Sequence, residues 1–206
     1  MNSLAAFSVM LALQVPQQGP LIDAARRNGG KVTTSFNVSM PIADFDEVAT
    51  KSDVIVRGTV RRVTTRLSND GEWVVTDFEI IPVKVYKDTA GNVTPTPGTT
   101  NPLVVERIGG TVMIDGLEIT IHDSQFPETE SLRQGEDVFL FLLRNGTTDF
   151  VFTGGPYGAY RIADDEVTVM TTHAAERRGD QPEPLVVFES RVQNLIRKQA
   201  ATGRVH

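Results

Sequence analysis

At 206 residues, 40% hydrophobic and 22% charged, the chain has the size and balance of one globular domain with extensions and a sizeable core. Its net charge of −6 argues against nucleic acid or an anionic membrane surface as partner, and Asp53–Thr172 is more acidic still, with ten Lys/Arg against eighteen Asp/Glu. The absence of cysteine removes disulfides, thiolate metal sites, cysteine nucleophiles and the acylated cysteine of a bacterial lipoprotein.

Residues 1–20 open with an apolar run, Leu4 to Leu13, followed by a polar Gln/Pro/Gly stretch. The run is too short to span a bilayer but has the length of the apolar core of an export signal, although Met1-Asn2-Ser3 supplies no basic residue. The reading is an exported protein, periplasmic or extracellular, and not a lipoprotein. A short apolar helix docked on the domain is the alternative. Residues 21–40 read as a linker ending in a short extended piece. Ile42, Phe45, Val48 and Ala49 then fall at helical spacing with acids in the first turn, which predicts a short helix stopped at Ser52-Asp53.

From Asp53 the pattern changes to period two. Val54, Val56, Gly58 and Val60 share one face, and the phase breaks at Arg61-Arg62, predicting a β-bulge with a bend at Gly58. Asn69-Asp70-Gly71 reads as a hairpin turn. In the strand that follows, Val74, Thr76, Phe78 and Ile80 lie on one face, whereas Ile81, Val83 and Val85 continue on the other. Pro82 sits at the switch and has no N–H to donate, so a second irregularity is expected there. Asp88–Pro102 is a polar loop, and Leu103–Ile108 a strand halted by Gly109-Gly110. Asp115-Gly116 as a two-residue turn would pair Ile114 with Leu117 and Val112 with Ile119, putting every large aliphatic residue of that hairpin on one face.

After the polar crossing Ser124–Gln134, Val138–Leu143 is an unbroken apolar run, which predicts a central strand covered on both sides. Phe150-Val151-Phe152 returns as its hairpin partner, and Gly154-Gly155-Pro156 turns the chain into Tyr160-Arg161-Ile162. A turn at Ala163–Glu166, a strand Val167–Thr172 and a linker over 173–184 follow. Leu185, Phe188, Val192, Leu195 and Ile196 form one helical stripe, so residues 185–200 are read as a C-terminal helix packed on the sheet. The expected fold is mainly β: a small closed or partly open barrel of the oligonucleotide/oligosaccharide-binding (OB) type over 41–172, with a short N-terminal helix and a C-terminal helix packed on it.

SDVIVRGTV (Ser52–Val60), GGTVMIDGLEITI (Gly109–Ile121), GEDVFLFL (Gly135–Leu142) and GGPYGAYRI (Gly154–Ile162) together resemble an uncharacterised family of exported bacterial small β-barrels. In outline the chain is also similar to netrin-type and tissue-inhibitor-of-metalloproteinase barrels. Those inhibitors hold zinc through an N-terminal cysteine, which this chain lacks, so no inhibitory residue carries over. The resemblance implies a fold rather than an activity.

Chemistry-bearing residues are sparse. His122-Asp123 with Glu118 is the nearest approach to a metal cluster, but a site needs three or four supported ligands and a solvated strand face accounts for these three. No serine is placed beside His122 or His173, and Asp164-Asp165-Glu166 has the composition of a turn. Gly109-Gly110 and Gly154-Gly155 lack the spacing of phosphate-binding loops. Arg61, Arg62 and Arg66 are too few for a nucleic-acid groove. Trp73, Tyr157 and Tyr160 are a candidate aromatic platform for a ligand. Nothing calls for a cofactor or a metal. The expected function is a non-enzymatic binding module with a protein or glycan partner in the bacterial envelope or outside the cell. The alternatives are an inhibitor of a secreted protease acting through the loops Asp88–Pro102 or Ser124–Gln134, and a hydrolase with an unrecognised site.

Overall fold

The computed structural model describes residues 19–37, 43–93, 102–124, 131–146, 149–171 and 179–201. The export segment expected over residues 1–20 lies outside them except for Gly19 and Pro20, as do the first half of the 173–184 linker and the central parts of both long loops. In chain order the elements are α1 (Pro20–Arg27), β1 (Lys31–Phe36), α2 (Phe45–Lys51), β2 (Val54–Leu67), β3 (Val74–Asp88), β4 (Leu103–Ile108), β5 (Gly110–Ile114) and β6 (Leu117–Asp123). Then follow β7 (Asp137–Asn145), β8 (Asp149–Phe152), β9 (Ala159–Ala163), β10 (Glu166–Val169), the two-residue β11 (Glu183–Pro184) and α3 (Leu185–Ala201).

The apolar run of β7 has the two-sided burial its composition demands. Val138, Leu140 and Leu142 enter one core with Val54, Val56, Val60, Phe78 and Ile80. Phe139 and Phe141 enter a second core with Ile55, Tyr157, Tyr160 and residues of α2 and α3. Strand alternation makes this division, since consecutive side chains point to opposite faces. The first core is enclosed by a ring of pairings. Strand β7 pairs with β2, β2 with β3 and β3 with β4, all antiparallel; β4 pairs with β8 in parallel, and β8 returns antiparallel to β7. One edge of β7 is shared, with Leu142–Asn145 bonded to β8 and Asp137–Leu140 to β9. Strands β9, β10 and β11 extend the sheet outward from there.

Both predicted irregularities are present. The β2–β3 register shifts between Val60 and Arg62, and again between Arg57 and Gly58 opposite Lys84 and Pro82. As a result Val63 and Val85 pack against the first core although their neighbours' phase would turn them outward. Gly58 meets the second shift at close range, for a Cβ there would lie 2.6 Å from the Ile81 carbonyl oxygen.

The segment Leu21–Phe36, expected as a linker ending in an extended piece, instead contributes a helix and a paired strand. Strand β1 runs parallel to β6, with Lys31 opposite Glu118 and Phe36 opposite Asp123. The β5–β6 hairpin, placed in the barrel by the sequence, therefore belongs to a separate three-stranded sheet, β1-β6-β5. Its predicted turn and register are correct: Asp115 and Gly116 both have positive φ, and Ile114 faces Leu117. The aliphatic face closes a third core with Ile22 and Ala25 of α1 and Val74 of β3.

The two remaining helices cover the second core. Asp44 caps α2 by accepting from the Glu47 N–H at 2.6 Å, and Phe45, Val48 and Ala49 are buried. Helix α3 buries Leu185, Phe188 and Val192. The Phe188 ring lies 4.9 Å from both Phe139 and Tyr160.

Candidate functional site

The outer face of the sheet, where α3 crosses it, carries a cluster of interlinked polar side chains. The register places Arg57 of β2 opposite Lys84 of β3, and Tyr86 follows two residues on, on the same face. Glu189 lies one helical turn beyond Leu185 and reaches down to all three. Its Oε1 accepts from the Tyr86 hydroxyl at 2.5 Å, its Oε2 accepts from the Lys84 Nζ at 2.8 Å, and an Arg57 guanidinium nitrogen stands 3.5 Å from Oε1. The Lys84 ammonium also lies 4.6 Å from the centre of the Tyr86 ring.

This geometry fixes the protons. Burial opposes ionisation of Glu189, but hydrogen bonds from Lys84 and Tyr86, with the charges of Lys84 and Arg57, outweigh it and hold the carboxyl below its ordinary value. Burial, then the bond to Glu189 and its charge, push the Tyr86 phenol well above its ordinary value. Neither group is poised to exchange a proton near neutral pH. A group whose carboxyl pKa falls on folding adds stability above its unfolded value and loses it as pH drops through the folded one. Glu189→Gln is therefore expected to cost about 1–3 kcal/mol at neutral pH. It should also flatten the part of the acid-unfolding profile that lies at and below the ordinary carboxylate range. Urea unfolding of both proteins across that range measures the effect.

Two clefts flank the start of α3. One, of about 320 Å³, is lined by Arg57, Asp165, Pro184, Leu185, Val186 and Glu189. The other, of about 360 Å³, lies over Tyr160, Val167, Val169, Phe188 and Arg191 beside residues 179–183. Val186, which lines the first cleft, is 71% exposed, and its neighbour Val187 is 49% exposed. The Arg191 guanidinium lies 3.8 Å from the centre of the Phe45 ring and pairs with Glu183 at 2.8 Å, which ties the second cleft to α2 and β11.

The chain matches no family model and no curated protein.

The candidate aromatic platform does not assemble. Tyr157 is fully buried and Tyr160 nearly so, both in the second core. Trp73, 38% exposed, stands edge-on to Phe36 of β1 beside the third core. Tyr160 is covered because β9 returns along the edge of β7 beneath α3, and Tyr157 is buried in the turn Gly155–Gly158 that leads into β9. Among the described residues no group of three or more His, Asp or Glu comes together in a metal-binding arrangement. Glu118 is paired with Lys31 at 2.6 Å, and His122 is exposed. Arg61 and Arg66 make bonds to Glu79 and Asp77 across the β2–β3 ladder, Arg62 stands 4.0 Å from Glu79, and Arg66 also bonds Glu106 of β4. The basic run is thus matched by acids. Asp164-Asp165 forms the two-residue β9–β10 turn, with both residues at positive φ. Gly109-Gly110 and Gly154-Gly155 are corners, and none of them opens an α-helix. No helix among the described residues is long and apolar enough to cross a membrane.

A second polar cluster fastens the far ends of β3 and β7. Asp88 accepts from the backbone N–H groups of Val93 and Ala90 and from Arg144 at 2.6 Å, while Asp53 accepts from the Arg144 N–H at 3.0 Å. Burial opposes ionisation of Asp88, and these donors overcome it to hold the carboxyl below its ordinary value. Its donors are mostly backbone, which marks it as a structural tie.

Sequence reasoning missed Arg57, Lys84, Tyr86 and Glu189. The available signal was faint: the bulge phase puts Arg57, Lys84 and Tyr86 on the face that Ile55 and Phe139 bury, and Glu189 stands next to Phe188 of the helical stripe.

Proposed function

We propose that the chain is a non-enzymatic, exported binding module built on an OB-like barrel, and that it engages a protein or glycan partner of the bacterial envelope through the surface at the start of α3. A five-strand ring closed by one parallel pair has the connectivity of such barrels. Its interior is filled by the first core, so a partner has to be met on the outside. The observation that carries the reading is the exposed Val186–Val187 pair beside two clefts, on a helix whose other face is anchored by Phe188 and Glu189. An aliphatic ridge with polar flanks on a rigid support is the anatomy of a recognition surface, and it favours a protein over a glycan. The fixed protons of the Tyr86–Glu189 pair fit a site that binds without turning over its ligand. Export rests on the Leu4–Leu13 segment, and the acidic body agrees with a partner other than nucleic acid.

The test places a photo-crosslinking amino acid at Val186 and, as a control, at Met113, which is 62% exposed on the separate three-stranded sheet. Cells exporting the protein should yield a discrete adduct from position 186 and none from 113. Equal labelling at both positions, or turnover of a peptide, ester or glycoside substrate by the purified chain, overturns the proposal.

A further inference from the structure

The cleft between β2 and the start of α3 has a charge arrangement more specific than a partner-binding ridge requires. Arg57 of β2 and Asp165 of the β9–β10 turn both line it. The turn is held in place, because the Asp165 carbonyl accepts from the Leu185 N–H at 2.7 Å. The two side chains do not pair with each other. Among the described residues the Arg57 guanidinium makes a single long contact, 3.5 Å to Glu189, which uses little of its five-donor capacity. The Asp165 carboxylate is exposed and enters no ion pair with the other described residues.

The Glu189 carboxylate is occupied by Tyr86, Lys84 and Arg57, so the Lys84 charge behind the cleft offsets it. What remains to a ligand is one cation, one anion and an apolar wall of Pro184, Leu185 and Val186. A phosphate or other simple anion would satisfy Arg57 but be repelled by the Asp165 carboxylate. A simple cation would have the reverse problem. A small zwitterion satisfies both, and a volume of about 320 Å³ is at the lower end of what small-molecule sites offer.

We infer that this cleft binds an amino-acid-sized zwitterion with an aliphatic side chain, its carboxylate on Arg57, its ammonium on Asp165 and its side chain against Leu185 and Val186. A planar guanidinium takes a carboxylate in two parallel hydrogen bonds, which sets the orientation and leaves the ammonium directed across the cleft. The inference goes beyond the partner surface and does not need it.

Isothermal titration of the full chain with L-leucine, N-acetyl-leucine and leucinamide tests it. Leucine should bind saturably. The acetylated form, which lacks the ammonium, and the amide, which lacks the carboxylate, should each bind at least about tenfold more weakly, the loss of one directed ion pair. Arg57→Gln and Asp165→Asn should each weaken leucine by about the same factor. Asparagine tolerates the positive φ of position 165, so that variant keeps the turn even if the first disturbs the sheet. No saturable binding of leucine, equal binding of all three compounds, or leucine binding unchanged in Asp165→Asn overturns the inference. Loss of leucine binding with the position-186 adduct intact would remove this ligand and leave the partner surface standing, whereas the opposite result would do the reverse.

Discussion

Phe141→Ala is expected to cost about 3–5 kcal/mol of folding stability, and Leu140→Ala about 2–5 kcal/mol. Neighbouring residues of a strand rarely both cost this much, because one normally faces solvent. Here Leu140 fills the core inside the ring while Phe141 fills the core beneath the helices. Phe141 has four aromatic neighbours, with Phe45 at 5.5 Å, Phe139 and Tyr160 at 5.6 Å, and Phe188 at 6.4 Å between ring centres. Truncation leaves a void that these rings close only by leaving their edge-to-face and tilted arrangements. Domains of this size hold only about 5–15 kcal/mol in reserve, so either variant should be close to unfolding at physiological temperature. Urea denaturation monitored by circular dichroism gives both numbers. A value near zero for either residue would mean that β7 is covered on one side only, and the two-core arrangement would fail with it.

That arrangement was legible in the sequence because its signals are local. Six apolar residues in a row have no polar face to give to water, and the phase breaks at Arg61 and Pro82 are visible without knowing any partner. The Asp115-Gly116 turn fixes its own register, since a slip by one residue would bring Glu118 into the aliphatic face. The third core was not legible. Strand β1 buries no residue completely, and its parallel partner β6 lies more than eighty positions away along the chain. Helix α1 spans eight residues and sinks only Ile22 and Ala25, too short a stripe to stand out before Gly29-Gly30.

The cluster around Glu189 was hidden for a different reason. Arg57, Lys84, Tyr86 and Glu189 are residue types that ordinarily face water, and only the crossing of α3 over β2 and β3 brings them together. The aromatic platform failed through the same long-range effect in reverse. Tyr160 looks like a surface-capable strand aromatic until β9 is laid beside β7 and covered by α3, and Tyr157 is buried in the turn just before that strand. Position along the chain cannot distinguish a tyrosine that serves as a platform from one that serves as a wall.

Gly158→Ala is expected to be the most damaging substitution of a single methyl group, costing about 3 kcal/mol or more. The corner from β8 to β9 has to leave the edge of β7 and rejoin it a few residues later. Thr153 donates to the Phe141 carbonyl at 2.8 Å, and Met170 donates to the Ala159 carbonyl, also at 2.8 Å, so the chain is bonded on both sides of the turn. A Cβ at Gly158 would press into the Thr153 carbonyl oxygen, with the Thr153 nitrogen and the Phe141 carbonyl oxygen each 2.9 Å away. All three obstacles are backbone atoms in a hydrogen-bonded ladder, and none can rotate aside as a side-chain tip would. The informative control is Gly146→Ala, at φ +79° with nothing within reach of the added carbon. There the cost should be only that of a left-handed residue, about 1–2 kcal/mol. The difference between the two, measured by the same urea titration, isolates the steric term from the conformational one. Because β9 leads directly into the turn that presents Asp165, Gly158→Ala should also weaken leucine binding under conditions where the chain is still folded, while Gly146→Ala leaves it unchanged. Equal stability loss in the two variants would mean that the corner can relax, and that the close return of β9 to β7 does not set the position of the cleft.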